Sequence, residues 1–126
     1  MTPEAKVKQK IKRLLSAMAV WYFMPVAGRY AKKGIPDFIC CANGKFLAIE
    51  AKGNGGRATE LQLYVIEEIK KHNGVAVVID ETNLVLLERI VANLVTKELF
   101  TEVCRCGEYE TCNVCIEQSR RIRGLI

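Results

Sequence analysis

The sequence predicts one α/β domain with the element order α-β-β-β-α-β-α, followed by a short cysteine-rich C-terminal tail. Three observations carry that expectation. Apolar residues recur at helical spacing near the start, an Asn-Gly pair separates two β-rich runs, and a helical segment then leads into a wholly apolar run. The chain has 126 residues, 50% of them hydrophobic and 26% charged, which suits one globular domain and not a disordered or fibrous chain.

The first helix is predicted from Glu4 to about Ala19, with Thr2 as N-cap and Pro3 at the first helical position. Val7, Ile11, Leu14, Leu15 and Met18 form its apolar stripe, with lysines on the other faces. Trp21–Val26 reads as a strand ending near Pro25, and Gly28–Gly34 as a basic loop. Asp37–Ala42 and Lys45–Lys52 read as a hairpin about Asn43-Gly44. A glycine-rich loop follows, without the Lys-Ser/Thr of a phosphate-binding P-loop.

Thr59–His72 is predicted as the second helix, stopped by Asn73-Gly74. Val75–Asp80 is wholly apolar up to its last residue, the pattern of a central strand covered on both faces, lying parallel to Lys45–Lys52. Leu84, Leu87, Val91, Leu94 and Val95 mark a third helix. The expected division is a domain over 1–100 and a cysteine-rich basic tail over 101–126.

The charge is unevenly spread. The chain carries +5 in total, yet residues 1–33 alone carry +7, through Lys6, Lys8, Lys10, Lys12, Arg13, Arg29, Lys32 and Lys33 against Glu4. A basic first third on an otherwise acidic domain fits a polyanion partner, nucleic acid ahead of membrane. The longest apolar run, Leu14–Ala27, is broken by Ser16 and Pro25 and falls short of the roughly 20 residues a bilayer requires. The stripe inside the basic start argues for an amphipathic helix of a cytoplasmic protein and against a secretory signal. In a reducing compartment Cys40 and Cys41 read as small buried hydrophobes.

The hairpin fixes a register. A two-residue turn at Asn43-Gly44 places Ile39 opposite Ala48 and Asp37 opposite Glu50, with the two acidic Cβ atoms about 5 Å apart. At an effective dielectric of 20, two full charges that close repel by roughly 3 kcal/mol. A divalent cation, Mg²⁺ or Mn²⁺, is the natural compensation for such a pair of hard oxygen donors. A plain structural account sets Asp37 as a turn cap and pairs Glu50 with Lys52. Two further residues favour a site: Glu4 extends the apolar stripe of the first helix, and Gln62 lies on the inward stripe of the second. Each also has a local use, Glu4 at the helix dipole and Gln62 in the Thr59-x-x-Gln62 capping box.

Gly34-Ile35-Pro36-Asp37, Ile49-Glu50-Ala51-Lys52, the glycine-rich loop, Thr59-x-x-Gln62 and Gly74 before an apolar strand together resemble the virus-type replication-repair nuclease (VRR-NUC) domain. That family belongs to the PD-(D/E)xK nuclease superfamily, and the resemblance covers about residues 4–80. It implies a restriction-endonuclease-like core, a mixed sheet flanked by helices, and Mg²⁺- or Mn²⁺-dependent hydrolysis of DNA phosphodiesters. Stand-alone phage members act on branched DNA such as four-way junctions, often as dimers, which implies a phage or prophage protein in replication, recombination or repair.

Carried over by position, Asp37 and Glu50 would hold the metal with the Ala51 carbonyl as a third ligand. Lys52 would orient or help deprotonate the attacking water. Glu4 would support a metal water or second ion, and Gln62 would steady the site and scissile phosphate. Lys6, Lys10, Arg13, Arg29, Lys32 and Lys33 are the candidate contacts to DNA phosphates.

Cys104-x-Cys106 and Cys112-x-x-Cys115 place four thiols within twelve residues, which suits a structural Zn²⁺ site, with free thiols in a frayed tail or a redox pair as the alternatives. Its absence from the family pattern keeps a second function in view, a non-catalytic DNA-binding or adaptor module with a zinc-binding tail. A third, a secreted disulfide protein, requires the signal-peptide reading.

Overall fold

The computed structural model describes residues 1–26, 28 and 31–99. Arg29 and the four clustered cysteines lie outside the described residues, as does the proposed zinc site with them. Residues Met1–Val95 form one compact unit, and Thr96–Ile126 a second of which only the end of a helix is described. The element order is α1 (Pro3–Ala17), β1 (Trp21–Phe23), β2 (Phe38–Ala42), β3 (Lys45–Ala51), α2 (Glu60–Lys71), β4 (Val75–Ile79) and α3 (Leu84–Leu99), as expected from the sequence.

The four strands form one mixed sheet in the order β1-β2-β3-β4, with β3 and β4 parallel and the other pairs antiparallel. Ala42 pairs with Lys45 and Ile39 with Ala48, the register that the Asn-Gly turn dictates. Asn43 (φ 52°) and Gly44 (φ 81°) both adopt the left-handed conformation that lets a two-residue turn follow the twist of its strands.

One face of the sheet presents Phe38, Cys40, Leu47, Ile49, Ala51 and Ile79, which pack with Val7, Ile11 and Leu15 of α1 and Leu87 and Val91 of α3. The opposite face presents Ile39, Ala48, Ala76 and Val78 to Ile66 and Ile69 of α2. The period-2 alternation of the strands thus sorts their side chains into two apolar layers. Asp37, Ile39, Ala48 and Glu50 share the parity of the α2 face.

Four expectations need correction. β4 stands at the end of the strand order among the described residues, not in its centre. Its continuous apolar run reports that both faces are covered, and says nothing about how many strands flank it. The strand after α1 ends at Phe23, two residues before Pro25, and α1 ends at Ala17 because Met18 caps it and Ala19 (φ 56°) turns left-handed. Cys40 is buried, but Cys41 points to the other face and is exposed. No described helix is long and apolar enough to cross a membrane.

Candidate metal and phosphodiester site

The C-terminal end of β3 gathers the charged residues the sequence singles out. β3 and β4 run parallel, and Glu50 is level with Val78. Just beyond the β2 ladder, Asp37 reaches back to β3: its Oδ2 accepts the Ala51 amide hydrogen at 2.9 Å. Asp37 therefore continues the ladder through its side chain, which fixes the carboxylate beside Glu50.

Glu50 is the one charged residue among the buried side chains of the described chain, at 3% exposure. Its Oε1 accepts from Gln62 Nε2 at 2.9 Å and lies 3.5 Å from Lys52 Nζ. Its Oε2 is buried with no hydrogen-bond partner. A buried carboxylate oxygen without a donor is costly, because the water it gave up has not been replaced. Burial first, and the Asp37 carboxylate second, push the Glu50 pKa up to about 7, while Lys52 pulls the other way. The Asp37 carboxylate thus disfavours the charged form of Glu50, by its own charge and by the hydrogen bond it offers the protonated form.

Gln62 serves two purposes at once. Its Oε1 accepts the Thr59 amide hydrogen at 2.9 Å, and the Thr59 hydroxyl accepts the Gln62 amide hydrogen at 3.2 Å, completing the capping box of α2. Its Nε2 remains free to donate to Glu50. The sequence set these roles against each other, but an amide has two ends and the two uses are compatible.

Glu4 does not join the acidic pair. Its side chain is 42% exposed, and Lys8, one helical turn on, stands between the two acids, 3.7 Å from Glu4 Oε2 and 3.5 Å from Asp37 Oδ1. Among the described residues no three of His, Cys, Asp or Glu converge as a metal site. The oxygen donors at hand are the two acids and the backbone, a set small enough to suit an ion that keeps several waters. Sequence reasoning missed Lys8 as a site residue. The available signal was its Glu4-x-x-x-Lys8 spacing, joined to its place next to the buried Val7.

The start of α1 is seated directly on the loop after Lys52. A Cβ on Gly53 would meet the backbone of Pro3 and Glu4, so only glycine permits this approach. The basic residues surround the same end of the sheet. Lys32 and Lys33 line a cleft of about 470 Å³ together with Pro36 and Asp37. Lys6 and Lys10 line a smaller one, about 210 Å³, with Pro3, Asn54 and Glu81. Arg13 is exposed further along α1. A further groove, about 610 Å³, lies along α2, and neither acid lines it.

Comparison of the chain with family models, with curated proteins and with solved structures finds no match.

Proposed function

We propose that the protein is a metal-dependent DNA endonuclease with a PD-(D/E)xK core of the VRR-NUC type. The observation that carries this reading is the buried, unpartnered Glu50 Oε2 next to the Asp37 carboxylate. The order and spacing of the Asp37, Glu50-Ala51-Lys52 and Gln62 motif support it independently.

The donor set fits Mg²⁺ or Mn²⁺. Asp37, Glu50 and the Ala51 carbonyl would hold the ion, and binding would supply Oε2 with the partner it lacks. Such an ion offsets the charge that builds on the phosphate and makes a nearby water more acidic. Gln62, anchored to the start of α2, holds Glu50 Oε1 and so fixes the direction of Oε2. Lys52, largely buried beside Glu50, orients the attacking water and accepts its proton. Glu4 and Lys8 bound the entrance, and Lys6, Lys10, Arg13, Lys32 and Lys33 offer positive charge to the DNA backbone.

Purified protein incubated with labelled linear, flap and four-way DNA tests the proposal. Cleavage is expected with Mg²⁺ or Mn²⁺, none with EDTA, and a preference for branched substrates. No cleavage of any substrate with either ion would remove the enzyme reading. Assembly as a homodimer and origin in a phage or prophage, acting in the bacterial cytoplasm, follow from the resemblance and belong to the same proposal.

One observation favours a second reading, a DNA-binding or adaptor module. Lys8 and Lys52 set one ammonium beside each acid, which offsets part of the repulsion without any metal. Under that reading Mn²⁺ leaves the protein's stability and its DNA binding unchanged.

A further inference from the structure

We infer that the groove along α2 binds unpaired bases of the strand entering the site, so that a single-stranded segment next to the bond, as in a flap, strengthens binding. The inference rests on the nucleic-acid reading of the site and specifies its substrate.

The groove is about 610 Å³, with Phe46 and Tyr64 among its lining residues. Both aromatic rings are open to solvent, Phe46 at 45% and Tyr64 at 62% exposure. Neither helps to fill the core. Exposed aromatic faces beside a cation such as Lys32 give a single strand a stacking platform that does not read sequence, since every base has a π-face.

The groove also adjoins the cleft that contains Asp37. Lys32 and Ile35 line both it and the cleft that contains Asp37. Phe46 and Glu50 share a strand and a face, four residues apart, a separation of about 13 Å along β3. A strand whose phosphate lies at Asp37 and Glu50 can therefore carry its neighbouring bases past Lys32 to Tyr64 and Phe46. In a paired duplex the bases are stacked inside the helix and cannot reach these rings.

The positive charge lies where the two clefts meet. Lys32 lies at the junction of the two clefts, with Lys33 beside it in the second. The one acid in the lining, Glu68, is paired with Lys71 at 3.3 Å. His72 donates from Nδ1 to the Glu68 carbonyl at 2.8 Å, which holds its ring in the groove's lining.

The test is fluorescence anisotropy of the full chain with a short labelled oligothymidylate and with a blunt duplex of equal length. EDTA is present throughout, so that hydrolysis does not enter the reading. Tyr64→Ala is expected to weaken single-strand binding about tenfold, with duplex binding within about twofold. Tyr64→Phe should restore it, because stacking needs the ring and not the hydroxyl. Equal losses on both DNAs, or no loss on the single strand, would overturn the inference. So would unchanged DNA binding with a changed sedimentation coefficient, which makes the groove a protein contact. Tyr64-dependent strand binding by a protein that cleaves nothing with Mn²⁺ removes the nuclease reading and leaves the groove standing. Cleavage of duplex and single strand that is indifferent to Tyr64→Ala does the reverse.

Discussion

Two acids lie at the ends of adjacent parallel strands, and the fold treats them in opposite ways. Asp80 follows β4 and is satisfied within its own turn: its Oδ1 accepts from the Thr82 amide at 2.8 Å and from the Thr82 hydroxyl at 2.6 Å. Those hydrogen bonds hold its pKa below the usual value. Asn83 closes the same turn, accepting from the Asp80 amide and donating to the Val78 carbonyl. Glu50, on the neighbouring strand, is buried against a second carboxylate with one oxygen left without a donor. Asp80 is a structural acid, complete with its near neighbours. Glu50 has its partners from distant parts of the chain and keeps one oxygen without a donor, the difference on which the proposed metal site rests.

The largest expected effect separates the two directly. Glu50→Gln or Lys52→Ala should lower DNA cleavage with Mg²⁺ by about a thousandfold or more, while Asp80→Asn stays within about threefold. Lys52→Ala should keep most of its DNA affinity, which the proposal assigns to the basic surface. Cleavage by Lys52→Ala at the normal rate would refute its role, and gel-shift titration checks the binding.

The pH dependence of stability sharpens the contrast. Glu50 has a pKa of about 7 when folded, against 4.5 ordinarily, so between those values the folded chain binds more protons than the unfolded one. Metal-free stability should then fall as pH rises from about 4.5 to about 7, and stay level above. Glu50→Gln should flatten that slope in urea melts taken across the range. Asp80 works in the other sense: its contribution is present above its ordinary value of 3.8 and is lost as pH falls below.

The fold was legible in the sequence where one local signal had one structural answer. Asn43-Gly44 fixed the hairpin register, and the stripe of Val7, Ile11 and Leu15 picked out the buried face of α1. From the register alone, Asp37 and Glu50 could be brought together. Other features depended on tertiary partners that no local pattern encodes. The edge position of β4 is decided by the absence of a further described strand, and an all-apolar sequence looks the same at either place. Lys8 reads as half of an ordinary helical ion pair with Glu4 until Asp37 is folded against it. The groove of Phe46 and Tyr64 escaped notice because both residues pass for core in a sequence.

The contact of Gly53 with the start of α1 offers a smaller perturbation. Gly53→Ala should push Pro3 and Glu4 off the loop that carries Lys52, costing about 1–3 kcal/mol of stability and lowering cleavage about tenfold. Stability unchanged in thermal melts would show that the contact yields. The smallest effect belongs to the cap of α2. Thr59→Ala removes the bond to the Gln62 amide and should cost about 1 kcal/mol. Because Gln62 also holds Glu50, cleavage should fall a few-fold as well.

Calorimetric titration of Mn²⁺ into the metal-free, reduced protein at pH 8 tests the central claim most directly. Binding is expected for the unaltered chain and for Asp80→Asn, and should be lost in both Asp37→Asn and Glu50→Gln. Binding that survives in those two variants, or none in the unaltered chain, would contradict it.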